Sequence, residues 1–338
     1  MTNPVVSVIM PVRNARPWLD QAVRSILAQS VEAFELLLVD DHSDDGCVDE
    51  VPCDDPRLRI VKSPGRGVSS AFNYGFSQAK GAFIARMDAD DIALPERLEV
   101  QLNYLSAHPE VDICGAGVEI FLDGEPDGGR PAGGNRRYQA WLNACCTPDA
   151  VRRALFIESP IPNPTAVFRR GALHRLGGYG DPAWPEDYDL YLRADRLGLR
   201  MGKPGQVLLR WRDHDRRLTR SEGRYARAKF QAAKAHHLVS GRLRFLDQVV
   251  IWGAGPGGRL MHDLLQAEGM AVSGFLDVHP RRLGGRKRGL PVWPIEQVAE
   301  LADRFVLVAV GAAGARPRIR AFLEQKGRVE GEDYLFVA

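Results

Sequence analysis

The chain has 338 residues, with 45 Lys and Arg against 43 Asp and Glu and a formal net charge of +2. Apolar residues make up 45% and charged residues 26%, an ordinary globular balance, and the length suggests about two domains. A charge this close to neutral supplies no field to gather nucleic acid, and no apolar run approaches the roughly 18 residues that cross a bilayer.

Val5 to Met10 is a short β-rich apolar run closed by Pro11, which predicts a buried parallel strand. Pro17 to Gln29 carries Leu19, Val23, Ile26 and Leu27 at helical spacing. Phe34 to Val39 predicts a second buried strand ending in Asp40-Asp41, and Leu58 to Lys62 a third. Ser69 to Ala79 reads as a helix, Ala82 to Met87 as a fourth strand and Pro95 to Ala107 as another helix. Such alternation implies a parallel sheet covered on both faces, whose ligands bind beyond the carboxyl ends of the strands. Pro11-Val12-Arg13, Asp40-Asp41 and Asp88-Ala89-Asp90-Asp91 all fall on that edge.

Asp123 to Asn135, rich in Gly, Pro and Asp, predicts a surface loop. Ile161-Pro162-Asn163-Pro164-Thr165 leads into a strand over Ala166 to Phe168, and Glu186 to Leu197 predicts a helix opened by acidic residues. A polar, Ala-rich helix over Tyr225 to Val239 is expected to link a domain at 1–224 to one at 245–338, with the linker at 225–244. In the second domain, strands at Val249–Trp252, Val272–Asp277, Phe305–Val310 and Tyr334–Val337 alternate with helices ending near Ala267, at Ile295–Leu301 and at Arg316–Gln325.

The five cysteines, Cys47, Cys53, Cys114, Cys145 and Cys146, form no CxxC, so neither a disulfide framework nor a zinc site is expected. Reduced thiols in a cytoplasm are the expectation. A strand begins almost at the N-terminus, which does not read as a signal peptide.

Asp88-Ala89-Asp90 directly follows a buried strand. Alternate residues of an extended segment point the same way, so two carboxylates can share a hard divalent cation, Mg²⁺ or Mn²⁺, with substrate phosphates. Such a cation neutralises the charge that grows on a diphosphate leaving group. The other reading is that strand-end Asp residues cap the next turn or helix.

The DxD does not stand alone. Ser7-Val8-Ile9-Met10-Pro11-Val12-Arg13-Asn14-Ala15, Leu37-Leu38-Val39-Asp40-Asp41-His42-Ser43-Asp44-Asp45-Gly46 and Ala85 to Leu98 occur in order, followed by Pro185-Glu186-Asp187-Tyr188-Asp189-Leu190-Tyr191-Leu192-Arg193. Together they closely resemble the inverting glycosyltransferases of family 2, which have the GT-A fold. The resemblance covers about residues 4 to 220 and specifies reaction class far better than sugar.

The resemblance implies that Pro11 and Arg13 flank a nucleobase, that Asp41 accepts a hydrogen bond from it, that Asp88 touches the ribose and that Asp90 reaches the metal. Arg86 would contact diphosphate, or serve as a structural ion-pair partner. Asp187, in the acidic pair with Glu186, matches the family's catalytic base. An inverting single displacement needs one carboxylate to take the acceptor hydroxyl's proton. The alternative is that the pair only favours a helix N-terminus. His214 stands where many relatives carry a His near the diphosphate and metal; a structural His is the other reading. Arg217 and Arg220 follow as phosphate forks or as a solvated basic stretch. Asn163, where many relatives have His, and Glu186 are expected on the acceptor side. Phe72 departs from the Arg that relatives carry.

Gly253, Gly255 and Gly258 fit GxGxxG between a strand and a helix, and Asp277 ends the next strand at the spacing of a ribose contact. The turn suits a phosphate, but about 90 residues build only one mononucleotide-binding half. A second nucleotide site and a structural or interaction role both stay open.

The expectation is a GT-A fold with a mostly parallel central sheet, plus a small C-terminal Rossmann-like domain. The expected activity is divalent-cation-dependent transfer from a nucleoside-diphosphate sugar, a UDP-sugar foremost, to a surface-glycan or lipid-linked acceptor. Nucleic acid is not an expected partner, and peripheral association with the inner face of a membrane is compatible. The rivals are a nucleotidyltransferase, disfavoured because Pro11-Val12-Arg13-Asn14 holds no Gly, and an oxidoreductase or other nucleotide-binding role for the C-terminal domain.

Overall fold

The computed structural model describes residues 4–51, 54–124, 129 and 133–338. The chain divides into two compact units, Met1–Val151 with Pro160–Gly223, and Arg152–Ser159 with Arg224–Ala338.

In the first unit a seven-stranded sheet forms from β1 (Val6–Val12), β2 (Phe34–Asp40), β3 (Leu58–Lys62), β4 (Phe83–Arg86), β6 (Ile113–Cys114), β8 (Val167–Arg169) and β9 (Met201–Gly202), in the order β3-β2-β1-β4-β8-β6-β9. The pairs among β1 to β4 are parallel, while β8 runs antiparallel to β4 and β6. Every residue of β1 is buried, which explains its unbroken apolar run in a sheet covered on both faces. Ser7 is the exception that fits, since its hydroxyl donates to Glu35 at 2.6 Å and accepts the Gly81 N–H at 2.8 Å. A second sheet holds β5 (Ile92–Ala93), β10 (Val207–Asp213) and β7 (Gly117–Leu122), in the order β5-β10-β7.

Several expectations need correction. β1 continues through Pro11 to Val12, paired with Val39 and Asp40 of β2. Its pairing with β4 ends at Ile9 and Arg86, so Pro11 lies where one side of the strand has no partner, a place that tolerates a missing N–H. The first helix is Leu19–Leu27; Pro17 and Trp18 stay in the preceding turn, where the Trp18 indole donates to Asp123 at 3.0 Å. The expected loop 123–135 lies partly outside the described residues, and its end is the start of a helix, Gly133–Ala144. That helix buries only Leu142, so it carries little apolar periodicity to read. Both β7 and β10 went unread.

In the second unit the strands are β11 (Gln248–Trp252), β12 (Ala271–Asp277), β13 (Arg286–Lys287), β14 (Leu290–Pro294), β15 (Phe305–Val308) and β16 (Tyr334–Phe336), ordered β13-β14-β12-β11-β15-β16. All pairs but β13–β14 are parallel. Chain order reverses between β11 and β15, the position where open α/β sheets leave a crevice. The expected helix Ile295–Leu301 is a short 3₁₀ segment, Ile295–Ala299. The helix Arg227–His237, read as a linker, belongs with this unit.

Candidate active site

The carboxyl ends of β1, β2 and β4 carry three sets of expected residues. After β1, Pro11 is buried and Arg13 exposed. Asn14 takes a φ of 53° and His42 a φ of 58°. Asn tolerates the left-handed region through local hydrogen bonding, and Asn14 Oδ1 accepts the Asp44 N–H at 2.9 Å while its own N–H donates to Ser43 at 3.2 Å. The β1 and β2 loops are thereby sewn together. His42 holds its strained backbone with a ring contact to the Gly65 carbonyl at 3.2 Å, and such strain collects where surrounding structure fixes a loop for use. Asp41 is buried and both its oxygens accept the Gly67 N–H at 3.0 Å.

After β4, Asp88, Asp90 and Asp91 each offer an oxygen within 4.8 Å of the others. They are not equivalent. Asp88 and Asp90 are half-buried, whereas Asp91 is 1% exposed. Asp91 Oδ1 accepts the Arg212 N–H at 2.9 Å, and its Oδ2 has no hydrogen-bond partner among the described residues. Burial, then the charges of Asp90 and Asp88, push its carboxyl well above the usual range. Asp91 is the inner member of the cluster and Asp88 and Asp90 its outward pair.

Arg86 is 3% exposed and ion-paired to Asp88 at 2.9 Å. Its guanidinium lies 5.5 Å from the Phe72 ring and 5.2 Å from the Tyr179 ring. Burial works against its charge, but Asp88, with Tyr179 and Glu186, more than restores it and raises the group above its ordinary value. The structural ion pair is thus present, and Nη1 has no hydrogen-bond partner among the described residues. Phe72 is fully buried edge-on to Tyr179 at 4.7 Å. Where relatives were expected to hold a cation, this chain puts a ring beneath Arg86.

Glu186 and Asp187 open the helix Glu186–Arg196. Glu186 is buried and Asp187 half-buried. Asp187 Oδ1 accepts the Tyr188 N–H at 2.7 Å. Burial first, then the adjacent Glu186 charge, push the Asp187 carboxyl up to about 7, against the pull of the Tyr188 N–H and Arg86. A carboxyl poised there suits proton abstraction near neutral pH. The loop before this helix is fixed by Asn73, whose amide exchanges two hydrogen bonds with the Tyr179 backbone, at 2.7 and 2.9 Å. Asn163 Oδ1 accepts the Tyr179 hydroxyl at 2.5 Å and the Tyr191 hydroxyl at 3.4 Å, so its carbonyl is committed within the protein.

β10 brings His214 to the cluster. Its Nε2 meets Asp90 Oδ2 at 2.8 Å, and Nδ1 accepts the Arg216 N–H at 3.2 Å. In the neutral ring Nε2 therefore carries the proton. The Trp18 ring packs against the imidazole, with centroids 3.9 Å apart and planes tilted by 31°. Arg220 is held by Asp213 at 2.6 Å and Asp215 at 2.7 Å, and Arg217 lies 4.6 Å over Trp211. Trp18, Asp123, Arg212, Asn73 and Tyr179 were not singled out from the sequence. Arg212 was legible in principle, since it precedes His214 by two residues on an extended run and alternate residues share a face.

In the second unit Gly253 has a φ of +112°, which only glycine adopts easily, and a Cβ on Gly258 would lie 1.7 Å from the Gly253 carbonyl. Gly255 has an ordinary φ of −74°. Asp277 Oδ2 accepts the Ala254 N–H at 2.8 Å and Arg282 at 2.9 Å, and Oδ1 accepts the His279 N–H at 2.8 Å. Asp277 therefore anchors the glycine turn.

Comparison with known proteins bears on the family and the fold. The sequence model described as Glycosyl transferase family 2 matches residues 7–177 of the 338. An uncharacterized glycosyltransferase of Haemophilus influenzae is 30% identical over 217 residues, 62% of this chain and 66% of that one. The amylovoran biosynthesis glycosyltransferase AmsE of Erwinia amylovora is 28% identical over 239 residues, 68% of this chain and 85% of that one. The structure of residues 1–349 of S. aureus TarS in complex with UDP-GlcNAc aligns with a TM-score of 0.56 at 17% identity, covering 77% of this chain and 71% of that one. The chain belongs to glycosyl transferase family 2 and is a glycosyltransferase with the GT-A fold.

Proposed function

We propose that the chain transfers a sugar, with inversion, from a nucleoside-diphosphate sugar to a glycan or lipid-linked acceptor in polysaccharide assembly, with a divalent cation. The observation that carries this reading is one cation, Arg86, felt by both Asp88 on the acidic loop and Asp187 on the helix. This shared cation supports reading the two carboxylate groups as parts of one site. The acceptor class is supported by the amylovoran relative. A UDP-sugar is the donor of choice because the TarS structure holds UDP-GlcNAc. The cytoplasm, at the inner face of a membrane, is the proposed compartment. The free thiols of Cys47, Cys114, Cys145 and Cys146 support it. No helix among the described residues is long and apolar enough to cross a membrane.

The carboxylates of Asp88 and Asp90 fit Mn²⁺ or Mg²⁺, being hard oxygen donors on a half-exposed edge. Asp90 would hold the ion, with His214 Nε2 joining in the neutral tautomer that carries its proton on Nδ1 and gives up the bond from the Arg216 N–H, and Asp88 would meet the ribose. When bound, such an ion neutralises charge on the departing diphosphate. Pro11, Arg13 and Asp41 flank the base. Arg86 holds Asp88 in place, its free Nη1 remaining for the diphosphate, and Asn163 and Glu186 shape the acceptor side. Asp187 takes the acceptor hydroxyl's proton as that oxygen bonds to the anomeric carbon. The bond from carbon to diphosphate oxygen breaks on the opposite face, and its electron pair leaves with the diphosphate.

For the Gly253–Gly258 turn, the bonds from Asp277 favour a structural role over a second nucleotide site. A thermal-shift screen of nucleotide sugars, each with Mn²⁺, Mg²⁺ or chelator, tests the main reading. A ligand that prefers the native state raises its melting temperature by mass action. A UDP-sugar is expected to do so only with the ion present; equal shifts with chelator would remove the metal from the reading.

A further inference from the structure

The side chain of Arg212 on β10 is almost wholly enclosed, and its guanidinium reaches four places. Nε donates to the Asp90 carbonyl at 2.7 Å, Nη1 to Asp123 Oδ1 at 2.8 Å and Nη2 to Gln21 Oε1 at 2.6 Å. The guanidinium also lies 4.6 Å over the Phe121 ring. Its backbone N–H holds Asp91 Oδ1 at 2.9 Å. One residue thus binds both the carbonyl of Asp90 and the carboxylate of Asp91. The other carboxylate oxygen of Asp123 accepts the Trp18 indole N–H at 3.0 Å, and the Trp18 ring packs against His214 at a tilt of 31°. His214 meets Asp90 Oδ2 at 2.8 Å.

The contacts close a ring: Arg212, Asp123, Trp18, His214, Asp90 and back to Arg212. A planar fork with rigidly spaced donors suits three acceptors at once, which a lysine ammonium on a flexible stem cannot match. We propose that Arg212 is a positioning residue for the cation site. It fixes the Asp90 backbone and, through Asp123 and Trp18, the plane of the His214 ring, so that the Asp90 carboxylate and the imidazole converge on one point. This rests on the metal-dependent reading above. Outer groups that orient ligands in this way set metal affinity, typically by a factor of ten to a hundred.

The test uses the full chain and four variants, Arg212→Met, Arg212→Lys, Asp123→Asn and Asp90→Ala, each titrated with Mn²⁺ calorimetrically and melted in the absence of the ion. Arg212→Met is expected to weaken Mn²⁺ binding by about tenfold to a hundredfold, with Arg212→Lys and Asp123→Asn between it and wild type. A merely structural role would lower the melting temperature and leave the Mn²⁺ dissociation constant of the folded fraction unchanged; that result overturns the proposal. If Arg212→Met does not fold, the dissociation constants of Arg212→Lys and Asp123→Asn decide, and wild-type values for both overturn it. Asp90→Ala separates the two levels. If wild type binds no Mn²⁺, or if Asp90→Ala binds it as wild type does, the metal reading fails and takes this proposal with it. If Asp90→Ala loses the ion while Arg212→Lys and Asp123→Asn keep wild-type affinity, only the role of Arg212 fails.

Discussion

Replacing Asp187 by Asn is expected to abolish turnover and, at alkaline pH, to stabilise the fold. Lifting a carboxyl from 3.8 to about 7 means that holding it charged in the folded state costs roughly 4 kcal/mol. Asp187 is only half-buried, so water screens part of this, and roughly 2 kcal/mol is the expected residue. The folded value lies above the unfolded one. The penalty is therefore absent below pH about 4, grows as the unfolded chain ionises, and is complete above pH about 7. Asn carries no charge at any pH and escapes it. The variant is expected to melt about 4–8 °C above wild type at pH 8 and to approach wild type at pH 4.

The activity side has the opposite sign. Loss of a general base costs about 10²- to 10⁴-fold, while donor affinity is expected to persist. In wild type, kcat/KM is expected to rise as pH passes through about 7, because only the charged carboxylate accepts the proton. Glu186→Gln removes a neighbouring negative charge and is expected to move that midpoint down. Melts at pH 4 and 8, with nucleoside diphosphate release followed across pH, measure both. A variant no more stable than wild type at pH 8 would refute the burial argument. Near-wild-type turnover with the true acceptor would refute the base.

Asp90→Ala is expected to lose Mn²⁺-dependent donor affinity while keeping a cooperative melt, read by calorimetry and circular dichroism. Phe72→Ala removes a fully buried ring from beneath Arg86 and is expected to cost about 3–5 kcal/mol in denaturant unfolding. Gly258→Val is expected to unfold the second unit, since its first side-chain atom would collide with the Gly253 carbonyl at 1.7 Å. Gly255→Val is expected to keep the fold, as the nearest atom to its new Cβ is on Arg282 at 3.6 Å. Titration of wild type and Gly255→Val with NAD, ATP and UDP-sugars then separates a nucleotide site from a structural turn.

The acidic loop was legible because two local signals coincide there. A buried strand announces its own end by losing apolar residues, and Asp88, Asp90 and Asp91 follow at once. Asp41, directly after β2, was legible for the same reason, whereas Glu186-Asp187 was legible as an acidic opening of a helix after Pro185. β10 was harder. Its Val207-Leu208-Leu209-Arg210-Trp211-Arg212-Asp213 run mixes apolar and charged residues, with Arg212 and Asp213 themselves buried. A rule that sends charges outward assigns those positions to the surface, yet Arg212 lies inside because three acceptors from distant segments, Asp90, Asp123 and Gln21, meet its guanidinium. Their separations of 122, 89 and 191 residues are what one-dimensional pattern reading does not reach.

The same limit decides how the glycine motif of the second unit is understood. The spacing of Gly253, Gly255, Gly258 and Asp277 identifies a strand, a tight turn, a helix and an acid at the next strand end, and all four are present. Spacing does not say what the acid holds. Here the Asp277 oxygens take two backbone N–H groups and the Arg282 guanidinium; burial pushes its carboxyl up, but these hydrogen bonds together outweigh burial and hold it below the usual range. A ribose hydroxyl would have to compete with a charge-assisted bond, which is about twice as strong as a neutral one. Arg282→Ala would release that oxygen. If the turn is a nucleotide site restrained by Arg282, the variant is expected to bind NAD, ATP or UDP-sugars more tightly than wild type. If the turn is structural, the variant is expected to melt lower and to bind none of them, and tighter binding would refute the structural role assigned to Asp277.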